Sequence, residues 1–161
     1  MTGTNFELVS EWRLTGPREQ VWNQIAHPRD WPRWWPYVQT VEQIAPGDAQ
    51  DVGAVHRFRW GSKLPYGFTL TMRTVKVERP SLLEAESTGD LSGTGQWQLT
   101  EENGATRVRY TWRVELAKPW MRALTFLAPV FAWNHHQVMR AGAEGLARHL
   151  GATLLEYRNV R

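Results

Sequence analysis

From about Thr40 to Leu116 the chain repeats one pattern: short runs in which apolar and polar residues alternate, each closed by turn-forming residues. Successive side chains on an extended strand point to opposite faces, so this pattern builds strands with one buried face. His56, Phe58 and Trp60 stand against Arg57 and Arg59, and Tyr66, Phe68, Leu70 and Met72 against Thr69, Thr71 and Arg73. Gly95, Trp97 and Leu99 oppose Gln96 and Gln98; Val108, Tyr110, Trp112 and Val114 oppose Arg107, Arg109 and Arg113. Breaks fall at Pro46-Gly47-Asp48, Gly61 to Pro65, Arg79-Pro80-Ser81, Gly89-Asp90 and Glu101 to Ala105, the last carrying the hairpin dipeptide Asn103-Gly104. Connections this short join antiparallel neighbours, because a parallel crossover needs a dozen or more residues. The result is a six-stranded meander with one aromatic face and one Arg-rich face, the latter shared by Glu84, Glu86 and Glu115.

The flanks complete the architecture. Phe6 to Leu14 alternate as a further strand. Gly16 as N-cap and Pro17 at the first helical position predict a helix with the apolar stripe Val21, Trp22 and Ile25, stopped at His27-Pro28. Pro28 to Pro36 holds three prolines and three tryptophans, which suits a short helix or turns acting as a plug. From Lys118-Pro119 to Leu150 the pattern is helical, but about 50 Å of straight helix at 1.5 Å per residue is too long for this chain. Pro129 is therefore where the main helix should start. Its projection puts Trp120, Leu124, Leu127, Phe131, Asn134, His135, Val138, Gly142, Leu146 and His149 on one side. Lys118, Arg122, His136, Arg140, Glu144 and Arg148 fall mostly opposite. The expected fold is α+β: a curved antiparallel sheet of about seven strands wrapped around a long C-terminal helix, with one or two short helices after the first strand. Residues 1–161 read as one domain with a short tail after Gly151.

Several function classes drop out. The chain has no cysteine, which excludes disulfide scaffolds, Cys-ligated metals and thiol catalysis. Nineteen Lys and Arg against sixteen Asp and Glu leave a net +3, scattered along the chain, so no nucleic-acid partner is expected. No long apolar run and no basic, apolar start occur, which predicts a cytoplasmic protein, and the excess of Arg over Lys suggests a bacterial one. His135 and His136 point about 100° apart on a helix and cannot share a metal as an i, i+4 pair would. Gly93-Thr94-Gly95 lies between strand signals rather than before a helix, and no serine sits in a G-x-S-x-G setting. No metal and no cofactor are expected.

Trp22 and Trp34-Trp35-Pro36 before the second strand, Gly53 entering the third, and Asn134-His135-His136-x-x-Met139-x-x-Gly142-x-x-Gly145-Leu146 on the last helix resemble the START-like helix-grip superfamily. That group is also described as SRPBCC, or polyketide cyclase/dehydrase and lipid transport. The resemblance implies a deep cavity between sheet and helix that holds lipids, polyketides or other apolar molecules; some members catalyse reactions and many only bind. The residues here fit such a wall: Trp12, Phe58, Trp60, Tyr66, Phe68, Trp97, Tyr110 and Trp112 on the inner sheet face, with His56 among them, and Phe131, Asn134 and His135 on the helix. A plain core would be mostly Leu, Ile and Val, whereas Trp and Tyr bring polar tips that need partners.

Two readings stay open for these residues, an open pocket or rings that fill it, and for Asn134 and His135 a structural partner or a ligand contact. Binding of an apolar, ring-bearing small molecule is the favoured function. The alternative is a polyketide cyclase or dehydratase in which His56, His135 or a tyrosine moves protons. Asp90 suits either the cavity mouth or a plain turn. Trp31, Trp34 and Trp35, beside Arg29 and Arg33, close one end of the cavity in the preferred reading and dip into a membrane surface in the lesser one. Monomer and homodimer are both compatible with the pattern.

Overall fold

The computed structural model describes residues 5–64, 67–115, 123 and 125–160. Its frame is β1 (Asn5–Thr15), β2 (Val38–Ala45), β3 (Val55–Trp60), β4 (Phe68–Glu78), β5 (Leu82–Gly89), β6 (Ser92–Glu102), β7 (Ala105–Glu115) and β8 (Leu154–Asn159). These form one curved antiparallel sheet in the order β2-β3-β4-β5-β6-β7-β1-β8. Between β1 and β2 lie helix α1 (Arg18–Ile25) and a 3₁₀ segment, Pro28–Arg33; after β7 come a 3₁₀ turn, Thr125–Leu127, and the long helix α2 (Ala128–Leu150). The meander from β2 to β7 follows the alternation of the sequence, and the β6–β7 hairpin turns through Asn103 at φ 49° and Gly104 at φ 79°. Pro129 sits in the first turn of α2, where its missing N–H costs nothing.

The segment after Gly151 is not a tail. It folds back as β8 and pairs antiparallel with β1, placing Tyr157 opposite Trp12, so the sheet has eight strands rather than about seven. Without β8 the backbone of β1 would present a row of unpaired N–H and C=O groups along the sheet edge. The start of α1 is also displaced by one residue: Pro17 is the N-cap, its carbonyl accepting from Gln20 at 3.2 Å, and the helix begins at Arg18. Gly16, at φ 111°, instead ties this link to the β6–β7 turn, donating to the Gly104 carbonyl at 2.9 Å and accepting from Thr106 Oγ1 at 2.9 Å.

Helix α2 is held on two flanks rather than along one stripe. Its buried residues, Asn134, His136, Met139, Gly142, Ala143, Gly145, Leu146 and Ala147, cover a wide arc. His136, placed on the polar side by projection, is buried, with its Nδ1 3.4 Å from Ser10 Oγ on β1; its carbonyl accepts from Tyr157 Oη of β8 at 3.0 Å. His149, placed on the apolar side, is exposed. On the other flank Trp35 donates its indole N–H to the Val138 carbonyl at 2.8 Å, Gly142 faces the Trp35 ring, and Gly145 faces the Trp34 carbonyl. Trp120, Leu124, Lys118 and Arg122, also assigned to helix faces from sequence, lie outside the described residues.

The Arg-rich face is largely self-neutralised. Arg57 meets Glu42 at 3.0 Å, Arg73 meets Glu86 at 2.9 Å and Arg113 meets Glu7 at 2.8 Å. Pairs this exposed hold register more than they add stability. Glu11 differs: it is buried and receives Arg109 at 2.6 Å, Arg107 at 3.5 Å and Arg158 from β8.

Candidate functional site

Because α2 is anchored at Trp34-Trp35 and along β1 and β8, it stands off from the middle of the sheet. The space between is a cavity of about 1610 Å³. Of the residues singled out from sequence, His56, Phe58, Trp60, Phe68, Trp97, Tyr110, Trp112, Phe131, Asn134 and His135 all line it. Tyr66 lies outside the described residues. Trp12 is not in the wall: only 1% exposed, it lies behind Trp35 and Trp97, with ring centroids at 5.9 and 5.6 Å. Alternation gives the face of a strand but not the depth, and at β1 the inner face is covered by other rings.

Aromatic side chains furnish the cavity by lying against one another rather than filling it. Trp35 and Trp60 meet edge to face at 5.0 Å, while Trp31 and Trp35 at 5.2 Å and Trp97 and Tyr110 at 4.3 Å lie tilted against each other. Gly95 makes this possible for Tyr110, since a Cβ there would come 2.5 Å from the phenolic oxygen. The 3₁₀ segment and the residues just after it form the plug that their composition suggested: Trp31 and Trp35 line the cavity. With Trp34 they are buried, which removes these indoles as a membrane-dipping surface. The wall also includes residues not singled out as site residues, among them Trp22, Met72, Val77 and Leu83. Val77 escapes a period-2 reading because the β4–β5 register shifts between Thr74 and Lys76, a bulge that turns Val77 inward.

Few polar groups interrupt this lining, and three of its buried polar atoms are without partners among the described residues. Trp22 Nε1, Asn134 Oδ1 and His135 Nε2 are buried and make no hydrogen bond, an arrangement that costs stability unless something supplies the missing contact. Burial, followed by the neighbouring His136, pushes the His135 imidazole down to about 3. His135 is therefore neutral throughout the physiological range, and imidazole nitrogen NMR should show it uncharged until the pH falls to about 3. A titration near the ordinary value of 6.5 would contradict its enclosure. Burial likewise pushes the Tyr110 phenol up, so it stays protonated. His56 is shifted down by burial first and by the Arg29 charge second, with Asp51 opposing.

Exposed residues of the lining, among them Arg29, Gln43, Gln50, Asp51, Arg79 and Asp90, are where the cavity meets solvent. Asp90 lines the cavity and also holds its turn, accepting the Thr69 N–H at 3.0 Å. Among the described residues no three His, Asp or Glu side chains gather as metal ligands, and no helix is long and apolar enough to cross a membrane.

The model of a family described as polyketide cyclase / dehydrase and lipid transport matches residues 6–151. No curated protein matches the chain at a significant level. Among solved structures, the di-domain aromatase/cyclase BexL of the BE-7585A biosynthetic pathway superposes with a TM-score of 0.75 at 19% identity, over 91% of this chain. The chain spans 50% of that protein's length. Zhui aromatase/cyclase of Streptomyces sp. R1128 superposes at 0.71 with 14% identity, covering 91% of this chain and 94% of that one. A START superfamily protein of Mycobacterium smegmatis gives 0.72 with 12% identity, covering 91% and 98%. At these identities the likeness carries the helix-grip fold and nothing finer.

Proposed function

Because the chain belongs to the polyketide cyclase/dehydrase and lipid transport family, we propose that it binds an apolar, ring-bearing small molecule between the sheet and α2. The observation that supports this reading is the cavity itself: about 1610 Å³, walled by indole and phenyl rings, with three buried polar atoms left without partners among the described residues. That volume exceeds the roughly 300–1,000 Å³ of ordinary ligand pockets and suits a multi-ring or long-chain molecule. In this reading Phe58, Trp60, Phe68, Trp97, Trp112 and Phe131 supply stacking surface, while Asn134, His135 and Tyr110 supply neutral hydrogen-bonding groups.

Binding is favoured over catalysis by the same electrostatics. A general acid or base works best with a pKa near the operating pH. His135, at about 3, and Tyr110, raised by burial, are both far from that range, so they serve as fixed dipoles. His56 keeps the alternative alive, since it lines the cavity and is the candidate whose lowering is least extreme. A cyclase or dehydratase built here would use His56 to take the proton.

Native mass spectrometry of protein taken gently from the cells that make it tests the reading: a stoichiometric apolar adduct is the expected result. Absence of an adduct, with no tryptophan quenching by a panel of polycyclic and acyl compounds, would refute it. With a ligand in hand, His56→Ala, His135→Ala and Tyr110→Phe should each weaken affinity about two- to tenfold. Collapse of turnover on that compound in His56→Ala, with binding kept, would instead select the enzyme.

A further inference from the structure

Resting on the reading that the cavity takes an apolar ligand, we propose that its mouth receives an acidic group, so that the ligand is a ring-bearing body ending in a carboxylate. Arg29 belongs to the 3₁₀ plug, is exposed, and lines the cavity. Among the described residues it has no hydrogen-bond or ion-pair partner, unlike Arg57, Arg73, Arg107, Arg109 and Arg113 on the sheet. An unpaired guanidinium at the rim of an apolar cavity is a fork of donors shaped for a carboxylate. His56 of β3 lies within reach of its charge, and Gln43 of β2 and Gln50 of the β2–β3 loop bring amide N–H donors to the same end.

The interior has the opposite character. Asn134, His135 and Tyr110 are neutral there, so a carboxylate carried inward would lose its hydration and find no cation. At the mouth the same group stays partly hydrated and meets Arg29. Ligand orientation follows: rings inward against the indoles, acid outward. Two carboxylates share this end. Asp30 is 4.0 Å from Arg33, whereas Asp51 bears on His56 with opposite sign to Arg29 and less strongly, and it opposes the incoming acid.

The test uses two probes that differ only in the terminal group, 1-pyrenebutyrate and 1-pyrenebutanol, titrated against the intact chain by tryptophan quenching. The acid should bind about tenfold more tightly than the alcohol at low salt, as a charge-assisted hydrogen bond to an exposed cation allows. Added salt should narrow that preference. Arg29→Gln should erase it by weakening the acid alone, and Asp51→Asn should widen it; near-UV circular dichroism checks that both variants keep the packed rings. Equal affinity of the two probes for the unmodified protein, or equal loss of both in Arg29→Gln, would overturn the acidic-end assignment and leave the apolar cavity standing. Failure of both probes to bind would overturn the cavity reading and this one with it.

Discussion

Gly145→Val should lower the melting temperature by about 6–12 °C or more. A Cβ at Gly145 would land on the Trp34 carbonyl oxygen, with the Trp34 carbonyl carbon at 3.0 Å and Pro36 Cδ at 3.5 Å. The obstacle is backbone, which cannot rotate aside as a side chain would. The only relief is to lift α2 off the plug, breaking the Trp35–Val138 hydrogen bond and opening a void beside Trp34, itself 4% exposed. Overpacking of this kind costs about 3 kcal/mol or more. For a chain this size each kcal/mol lowers Tm by about 2–4 °C. Gly142→Ala should behave similarly, since its Cβ would meet the Trp35 indole, with Cζ2 and Nε1 at 2.7 Å. Gly104→Ala is the control: nothing lies within 4 Å, so only the positive φ of 79° is strained, at a cost of about 1 kcal/mol. A thermal melt in which Gly145→Val matches Gly104→Ala would refute the close-contact account.

Glu11→Ala should have the next largest effect, and it should depend on pH. The Glu11 side chain is only 6% exposed and stands among the guanidinium groups of Arg107, Arg109 and Arg158. Burial alone would raise its pKa; the hydrogen bonds from Arg158 and Arg109 outweigh burial and hold it below its ordinary 4.5. A carboxyl whose pKa is lower folded than unfolded contributes its full stability above the unfolded value and loses it as the pH falls through the folded one. Removing Glu11 should therefore cost about 2–3 kcal/mol at neutral pH, less than for a fully buried pair because the arginines remain partly solvated. The difference from the unmodified protein should shrink as acid is added below the ordinary carboxyl range. Urea melts at neutral and acidic pH measure both effects, and a pH-independent difference would mean that Glu11 acts by packing alone.

The meander was legible because β3, β6 and β7 keep strict alternation against hydrophobic and polar surroundings, and turns such as Asn103-Gly104 have a local chemistry of their own. β8 was hidden because its exposed Leu155 and the register shift opposite Arg13 and Leu14 spoil the period, and because edge pairing is decided by a partner nearly the whole chain away. An ideal projection misplaces His136 because it assumes one buried stripe, whereas α2 also packs against β1 and β8, where Ser10 stands beside the imidazole. Alternation alone puts Trp12 in the wall because facing inward and reaching a cavity differ by one layer of rings. The plug was disclosed by composition, but its anchoring to α2 was not, since Gly142 and Gly145 matter only once Trp34 and Trp35 lie across them.

The indoles around the cavity also make the protein its own optical instrument. Trp12, Trp31, Trp35, Trp60 and Trp97 form an unbroken chain of ring contacts with centroids 5.0 to 6.3 Å apart. At such spacing their transitions couple, and excitation absorbed by one indole migrates among the others before it is emitted. A single acceptor anywhere along the wall would drain the whole set, so quenching should follow occupancy rather than the position of a guest. Coupled rings held in a fixed, chiral arrangement also give a paired near-ultraviolet signal, which reports the packing of the plug without any label.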